Sequence, residues 1–370
     1  MTVPLSILDL SPISADSDVA TALHNTVDLA RHAEHWGYRR YWVAEHHFVA
    51  VASSAPAVLI GQIAAATERI RVGAAAVQLG YTTALAVVES FGMLEQFYPG
   101  RIDLGLGRSG QRRKEAERGE EPPRAAEPWR EVDGVVVPSP FDTRTLLSSP
   151  RMRALSTVLT QPEVGPPDFG NQVGEILALL EGSHIVQGFP VSAVPGEGSG
   201  LTPWIFGSSR GQSAEVAGAR GLPFVASYHI TPSSALDAVE AYRAAFTPSP
   251  YLSRPHVVVS ADVVVADDSA TAHHLAKPFG RWVYSIRAQS GAVPYPDPDT
   301  VEPLTEEERA VVSDRLATQF VGDAEEVAGK LAALQRVTGA DELVVTTATY
   351  QHADRLRSYE LLAKRWGVAG

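Results

Sequence analysis

Ile102-Asp103-Leu104-Gly105-Leu106-Gly107-Arg108-Ser109-Gly110 decides between the two folds that the rest of the chain permits. Residues 102–105 have the composition of a short strand, and 105–110 match G-x-G-x-x-G, the glycine pattern of a dinucleotide-binding strand–turn–helix. That unit needs an apolar helix next and an acidic residue ending a second strand about 20 residues on. The chain continues instead as Gln111-Arg-Arg-Lys-Glu-Ala-Glu-Arg118, with no clear strand before a helix expected near Asp168. The stretch also stands in the fourth strand–helix unit, not the first. What survives is local. Glycines let a backbone approach a ligand closely, and Arg108 stands at the mouth of a strand, where a guanidinium can make paired, charge-assisted bonds to a phosphate. A surface ion pair is the plain alternative.

Outward from this stretch, short β-prone runs alternate with helical patterns. Strands are expected over 5–10, 41–44, 72–79, 102–105, 204–206, 224–227, 257–265 and 342–347. Helices are expected over 18–36, 56–67, 85–97, 168–180, 213–220, 232–245, 269–287, 323–337 and 352–366, the first with Asp18 as N-cap and Gly37 as its stop. A small hairpin is expected around 185–191. Eight strands with helical crossovers predict parallel pairing. The simplest closure is an α/β fold of the (β/α)8 TIM-barrel type, although the pattern alone also permits an open doubly wound sheet. No internal repeat or linker divides the chain, so 1–370 is taken as one domain. Two stretches break the rhythm: 111–167, rich in charge and proline, and 291–303, with four prolines. They are expected to be structureless insertions in strand–helix loops, either a substrate lid or plain surface decoration.

Composition bounds the function. The chain has 370 residues, 45% of them hydrophobic, and no cysteine, which removes disulfide frameworks, thiolate metal sites and thiol nucleophiles. A formal net charge of −12, without a basic stripe, argues against nucleic acid. No apolar run approaches the roughly 18 residues of a membrane span. Met1-Thr-Val-Pro-Leu-Ser6 lacks the basic and apolar segments of a signal peptide, so a soluble cytoplasmic protein is expected.

Two further clusters could carry chemistry. Gly207-Ser208-Ser209-Arg210-Gly211-Gln212-Ser213 follows a strand and opens a helix, where backbone N–H groups and serine hydroxyls can cradle a phosphate. Ordinary N-capping would need only one of these serines. Glu45-His46-His47 ends the second strand, the position of catalytic side chains in a barrel. Alternation sends Glu45 and His47 one way and His46 the other. No G-x-S-x-G elbow is present, and His229 and His273-His274 lack recognisable partners, so they are taken as ordinary residues.

Together these pieces resemble the bacterial luciferase-like monooxygenase family. The likeness is carried by 42–48 (Trp-Val-Ala-Glu-His-His-Phe), 70–79, 89–108, 207–223 and 338–347, in order along nearly the whole chain. The resemblance implies a TIM barrel with FMN, or in some branches a deazaflavin, at the C-terminal rim. It assigns His46 beside the flavin ring as a catalytic residue with Glu45 next to it. Arg108 goes to the flavin phosphate, together with Gly207, Ser208, Ser209 and Ser213, and the Ala75–Ala76 bond becomes a non-proline cis peptide under the ring. Gly80 departs from the proline usual there, so that loop is expected to be freer, and light emission is not implied. The charged insertion after Arg108 resembles a single-chain branch from actinobacterial secondary metabolism, with hydrophobic substrates such as aromatic polyketides. The implied reaction is oxygenation through a C4a-(hydro)peroxyflavin by molecular oxygen, with a separate flavin reductase supplying reduced FMN. A homodimer packed through the alanine-rich segment 55–66 is also implied. A deazaflavin-dependent dehydrogenase and a non-catalytic flavin-binding protein are the alternatives on the same barrel.

Overall fold

Eight parallel strands pair side by side, and the eighth returns to the first. The computed structural model describes residues 2–108, 128–147, 149–159, 168–288 and 291–368. The barrel strands are β1 (Leu5–Asp9), β2 (Arg40–Val43), β3 (Arg71–Ala74), β4 (Ile102–Gly107), β5 (Thr202–Gly207), β6 (Phe224–Ala226), β7 (Val257–Val265) and β8 (Glu342–Thr346). Each pairs with its sequence neighbour, and the β4–β5 and β8–β1 pairings complete the circle. The expected eight-stranded barrel is therefore closed, and the open sheet is excluded.

Local chemistry sets the element ends. Asp18 accepts from the Thr21 N–H to start the helix Val19–His35, and Gly37, at φ 85°, ends it. Pro56 occupies the first turn of Pro56–Ala66. The expected single helix over 269–287 is two, Ser269–Ala276 and Pro278–Arg287, because Pro278 cannot donate to the preceding turn. The expected strand 72–79 also splits. It leaves β3 at Ala74, passes a cis Ala75–Ala76 bond and resumes at Val77–Gln78.

Regular elements lie in and beside the segments taken as structureless. Within 111–167, Arg130–Val132 and Val135–Val137 form an antiparallel hairpin, and Pro150–Leu159 is a helix. The hairpin turns on Asp133-Gly134, both at positive φ, as a two-residue turn of matching twist requires. After 303, the helix Glu306–Thr318 begins with a capping box of Thr305 and Glu308, and Phe320–Gly322 adds to the far end of β7. The loop at Gly80 is not free. It forms a 3₁₀ turn, Leu79–Tyr81, whose flanking Leu79 and Thr82 carbonyls accept from Gln172 Nε2 at 2.9 and 2.7 Å.

The barrel interior is filled in layers. At the N-terminal ends, Arg40 of β2 bonds Asp103 of β4 at 3.0 Å and Glu342 of β8, and Arg71 forks onto Asp103. The Arg40 guanidinium lies 4.6 Å from the Trp204 ring. Above this layer Leu8, Trp42, Trp204, Val225, Val258 and Val344 pack together. The bottom of the barrel is thus closed, and the open end is at the strand C-termini. Among the described residues, no helix is long and apolar enough to cross a membrane.

The glycines of the fingerprint stretch belong to this packing. A Cβ on Gly105 would stand 1.8 Å from the Ala74 carbonyl oxygen of β3 and 2.7 Å from the Phe206 ring. Gly105→Ala therefore meets fixed backbone, and an overpacking cost at the upper end of about 1–3 kcal/mol is expected. Its thermal midpoint by circular dichroism should fall by several degrees. Gly329→Ala, in the helix Ala324–Thr338 with open space around it, should leave the midpoint unchanged or raise it.

Candidate functional site

The turn after β2 is built to hold one histidine. The Ala44 N–H donates to the Asp9 carbonyl, the His46 N–H donates to the Ser53 carbonyl at 2.9 Å, and the Ser53 hydroxyl donates back to the Ala44 carbonyl. Glu45 and His47 share one side, as alternation predicts, with His47 Nε2 at 2.9 Å from Glu45 Oε1. The other carboxylate oxygen of Glu45 accepts from the Gln78 N–H at 3.0 Å, and Gln78 Nε2 donates to the Glu45 carbonyl. Glu45 thereby ties the histidine turn to the segment just beyond the cis bond. His46 is left out of this pairing.

A cavity of about 400 Å³ opens at the C-terminal rim. Glu45, His46, Ala75, Ala76, Arg108, Gly207, Ser208, Ser209 and Ser213 all line it, so the structure brings every one of the expected site residues to one place. Ser109 and Gly110, the end of the fingerprint stretch, lie outside the described residues.

The two phosphate-like elements touch. Arg108 Nη1 donates to Gln212 Oε1 at 3.0 Å, and Gln212 Nε2 donates to Asp168 Oδ2 at 2.7 Å. The helix Gln212–Ala219 starts after Gly211 without any side-chain cap, so ordinary capping does not account for the serines. Its first N–H groups stand beside a guanidinium, an arrangement that suits an anion. Gly107 lies against the Ala76 methyl group, where a Cβ would come within 3.2 Å.

Two neutral histidines share the cavity wall. His46 has accessible surface but sits in a recess walled by protein, and this desolvation, with a smaller contribution from His47, lowers its pKa to about 4. His229, just after β6, is 9% exposed. Desolvation, then Arg315 and then His46, hold its pKa down at about 3. His229 Nδ1 is bonded to the Ser260 hydroxyl, which lies 3.3 Å from the Ala226 carbonyl. With Ser260 donating to that carbonyl, it accepts from His229 Nδ1–H, and Nε2 is left as an acceptor.

Sequence reasoning set His229 aside, and it passed over Gln78 and Gln212. The cue for His229 was its place after a barrel strand, the same cue that singled out Glu45-His46-His47. The insertions also reach the cavity: Leu146, Arg151, Met152, Leu155 and Leu159 line it from one segment and Gly291 from the other.

The two desolvated histidines give a pH signature. Folded His46 and His229 stay neutral down to about 4 and about 3, whereas in the unfolded chain each takes up a proton near pH 6.5. As pH falls from 6.5 towards 4 the unfolded state binds more protons, so stability is lost over that window. The thermal midpoint should fall more steeply there for the wild type than for His46→Gln; equal slopes would show that His46 is not desolvated.

The sequence profile described as luciferase-like monooxygenase matches residues 3–136 and 174–342. The YvbT protein of Bacillus subtilis (strain 168) is 38% identical over 364 residues, covering 98% of this chain and 96% of that protein. A luciferase-like monooxygenase of Escherichia coli (strain K12) is 33% identical over 363 residues, covering 97% and 96%. Among solved structures, apo-MsnO8 superposes with a TM-score of 0.77 at 29% identity, covering 99% and 98% of the two chains. The oxygenating constituent of 3,6-diketocamphane monooxygenase from Pseudomonas putida, solved with FMN, shares the fold. Its TM-score is 0.65 at 19% identity, covering 99% and 98%. The chain belongs to the luciferase-like monooxygenase family, and it is an oxidoreductase of the monooxygenase class.

Proposed function

We propose that this cavity binds FMN and that the protein uses it, in reduced form, to oxygenate an apolar organic substrate. The observation that carries the proposal is the Arg108–Gln212 bond, which joins a guanidinium to an uncapped helix start at one end of a cavity that also holds His46 and the Ala75–Ala76 bond. These residues fit the group. Arg108, Ser208, Ser209, Ser213 and the N–H groups beyond Gly211 would hold the phosphate, and the Ala75–Ala76 segment would back the ring. Reduced flavin, when bound, supplies two electrons and two protons, so that one atom of dioxygen enters the substrate and the other leaves as water.

The chain's own residues do the rest. Neutral His46 can both donate and accept a proton beside the reacting atoms. His229 offers Nε2 as a second acceptor in the same cavity. Glu45 works through others, holding His47 and Gln78 in place. Leu146, Met152, Leu155 and Leu159 exclude water from the site.

Among the described residues no dinucleotide-binding unit accompanies the barrel. This supports a separate reductase as the source of reduced FMN. The alanine-rich Pro56–Ala66 helix, with Val58 exposed, supports a homodimer packed through it. The cysteine-free, acidic composition fits a cytosolic protein.

Arg108→Gln should weaken reduced-FMN binding about tenfold or more, since a charge-assisted hydrogen bond contributes about 1.5–3 kcal/mol. His46→Ala should slow turnover by about a hundredfold or more while the flavin Kd stays within about threefold, as expected for loss of acid–base assistance. Anaerobic equilibrium titration and single-turnover assays with labelled dioxygen measure both. Unchanged flavin binding in Arg108→Gln overturns the phosphate assignment, and unchanged turnover in His46→Ala overturns the role of that histidine.

A further inference from the structure

Arg151 is the unusual group of the cavity wall. It lies in the first turn of the Pro150–Leu159 helix and lines the cavity with Leu146, Met152, Leu155, Ile230 and Ile286. Its Nη2 donates to the Phe48 carbonyl at 3.1 Å. The same guanidinium lies against Gly291, where a Cβ would stand 2.7 Å from Nη2 and 3.0 Å from Nη1. It is therefore wedged between the turn that carries His46 and the second insertion.

The chain holds 43 acidic residues against 31 lysines and arginines, so counter-charges are abundant. Five other enclosed arginines use them: Arg40 and Arg71 pair with Asp103, Arg287 with Asp314, Arg315 with Asp262 and Arg355 with Asp9, whereas Arg101 is held by three carbonyls and the Thr67 hydroxyl. Arg151 pairs with no carboxylate among the described residues. Glu45, the acid of this wall, is already taken by His47 and Gln78. Arg108 stands on the β4–β5 side of the rim, and Arg151 stands over the turn after β2.

A guanidinium in an apolar wall, with two edges for donation and one carbonyl partner, fits a planar acid group that accepts two parallel N–H bonds. We propose that Arg151 anchors the carboxylate of the substrate, and that the substrate class is an apolar organic acid whose hydrocarbon body runs along Leu146, Met152 and Leu155. Phe48 is two residues from His46, so an acid held at Arg151 brings its apolar body beside that histidine. The proposal rests on the assignment of the cavity to flavin and substrate.

The test uses decanoate and its neutral partner decanamide as probes, with Kd measured by calorimetry on the full chain. Reduced FMN is titrated separately, under anaerobic conditions. Wild type should bind decanoate about tenfold or more tightly than decanamide, a difference of about 1.4 kcal/mol or more. Arg151→Gln should erase that preference by weakening decanoate alone, and Arg151→Lys should restore part of it. FMN binding should be the same in all three proteins. Equal weakening of both probes would make Arg151 a latch that only holds the helix down, and would overturn the proposal. So would unchanged decanoate binding in Arg151→Gln, or no binding of decanoate by the wild type. Loss of FMN binding in the wild type would instead strike the flavin assignment, with the acid preference still readable.

Discussion

Two carboxylates buried inside a barrel set the terms for everything above them. Asp103 and Glu342 are 1% and 2% exposed, and moving an unpaired carboxylate to such a place costs several kcal/mol. Arg40 meets both, Arg71 forks onto the first, and the indole of Trp204 covers the Arg40 guanidinium. These contacts span β2, β3, β4, β5 and β8, so they fix how the strands meet across the closed end. With that end occupied by ion pairs and the middle by Trp42 and Trp204, the space left inside the barrel opens at the C-terminal rim. The location of the site follows from what fills the rest of the barrel.

The same crowding explains why the most suggestive motif in the chain misleads. Gly105 is a glycine because the Ala74 carbonyl and the Phe206 ring leave no room for a side chain, and Gly107 because Ala76 lies against it. Neither needs a dinucleotide. Arg108 is the first residue of the stretch to clear the strand, and in the described part its side chain reaches the cavity wall and bonds Gln212. The spacing of a cofactor fingerprint arises here from two close approaches between β4 and the β3 segment.

Much of the fold was legible because barrel strands are short apolar runs with helices between them, and all eight were placed to within a few residues. The site was legible where residues cluster in sequence after a strand, as in Glu45-His46-His47 and 207–213. What was missed had local signals outweighed by composition. Val132-Asp133-Gly134-Val135 is a hairpin turn, but it lies in a charged, proline-rich segment. Thr305-Glu-Glu-Glu308 is a capping box, but it follows four prolines. His229 was set aside because its partner, Ser260, is 31 residues away on the next strand. No sequence pattern joins those two; only the parallel pairing of β6 and β7 does.

Charge completes the account. The protein carries −12 overall, yet among the described residues the cavity wall offers two guanidiniums and three imidazoles against one carboxylate, and that carboxylate is bonded within the wall. Low polarity keeps His46 and His229 neutral, so neither adds to the positive field of the two arginines. A neutral imidazole can still donate and accept, which a charged one cannot do. The enclosure that removes charge from the histidines strengthens the pull of each arginine, because the surrounding medium screens it less. On the proposed reading, anion binding and proton transfer fall to different side chains, and the desolvation of one cavity serves both.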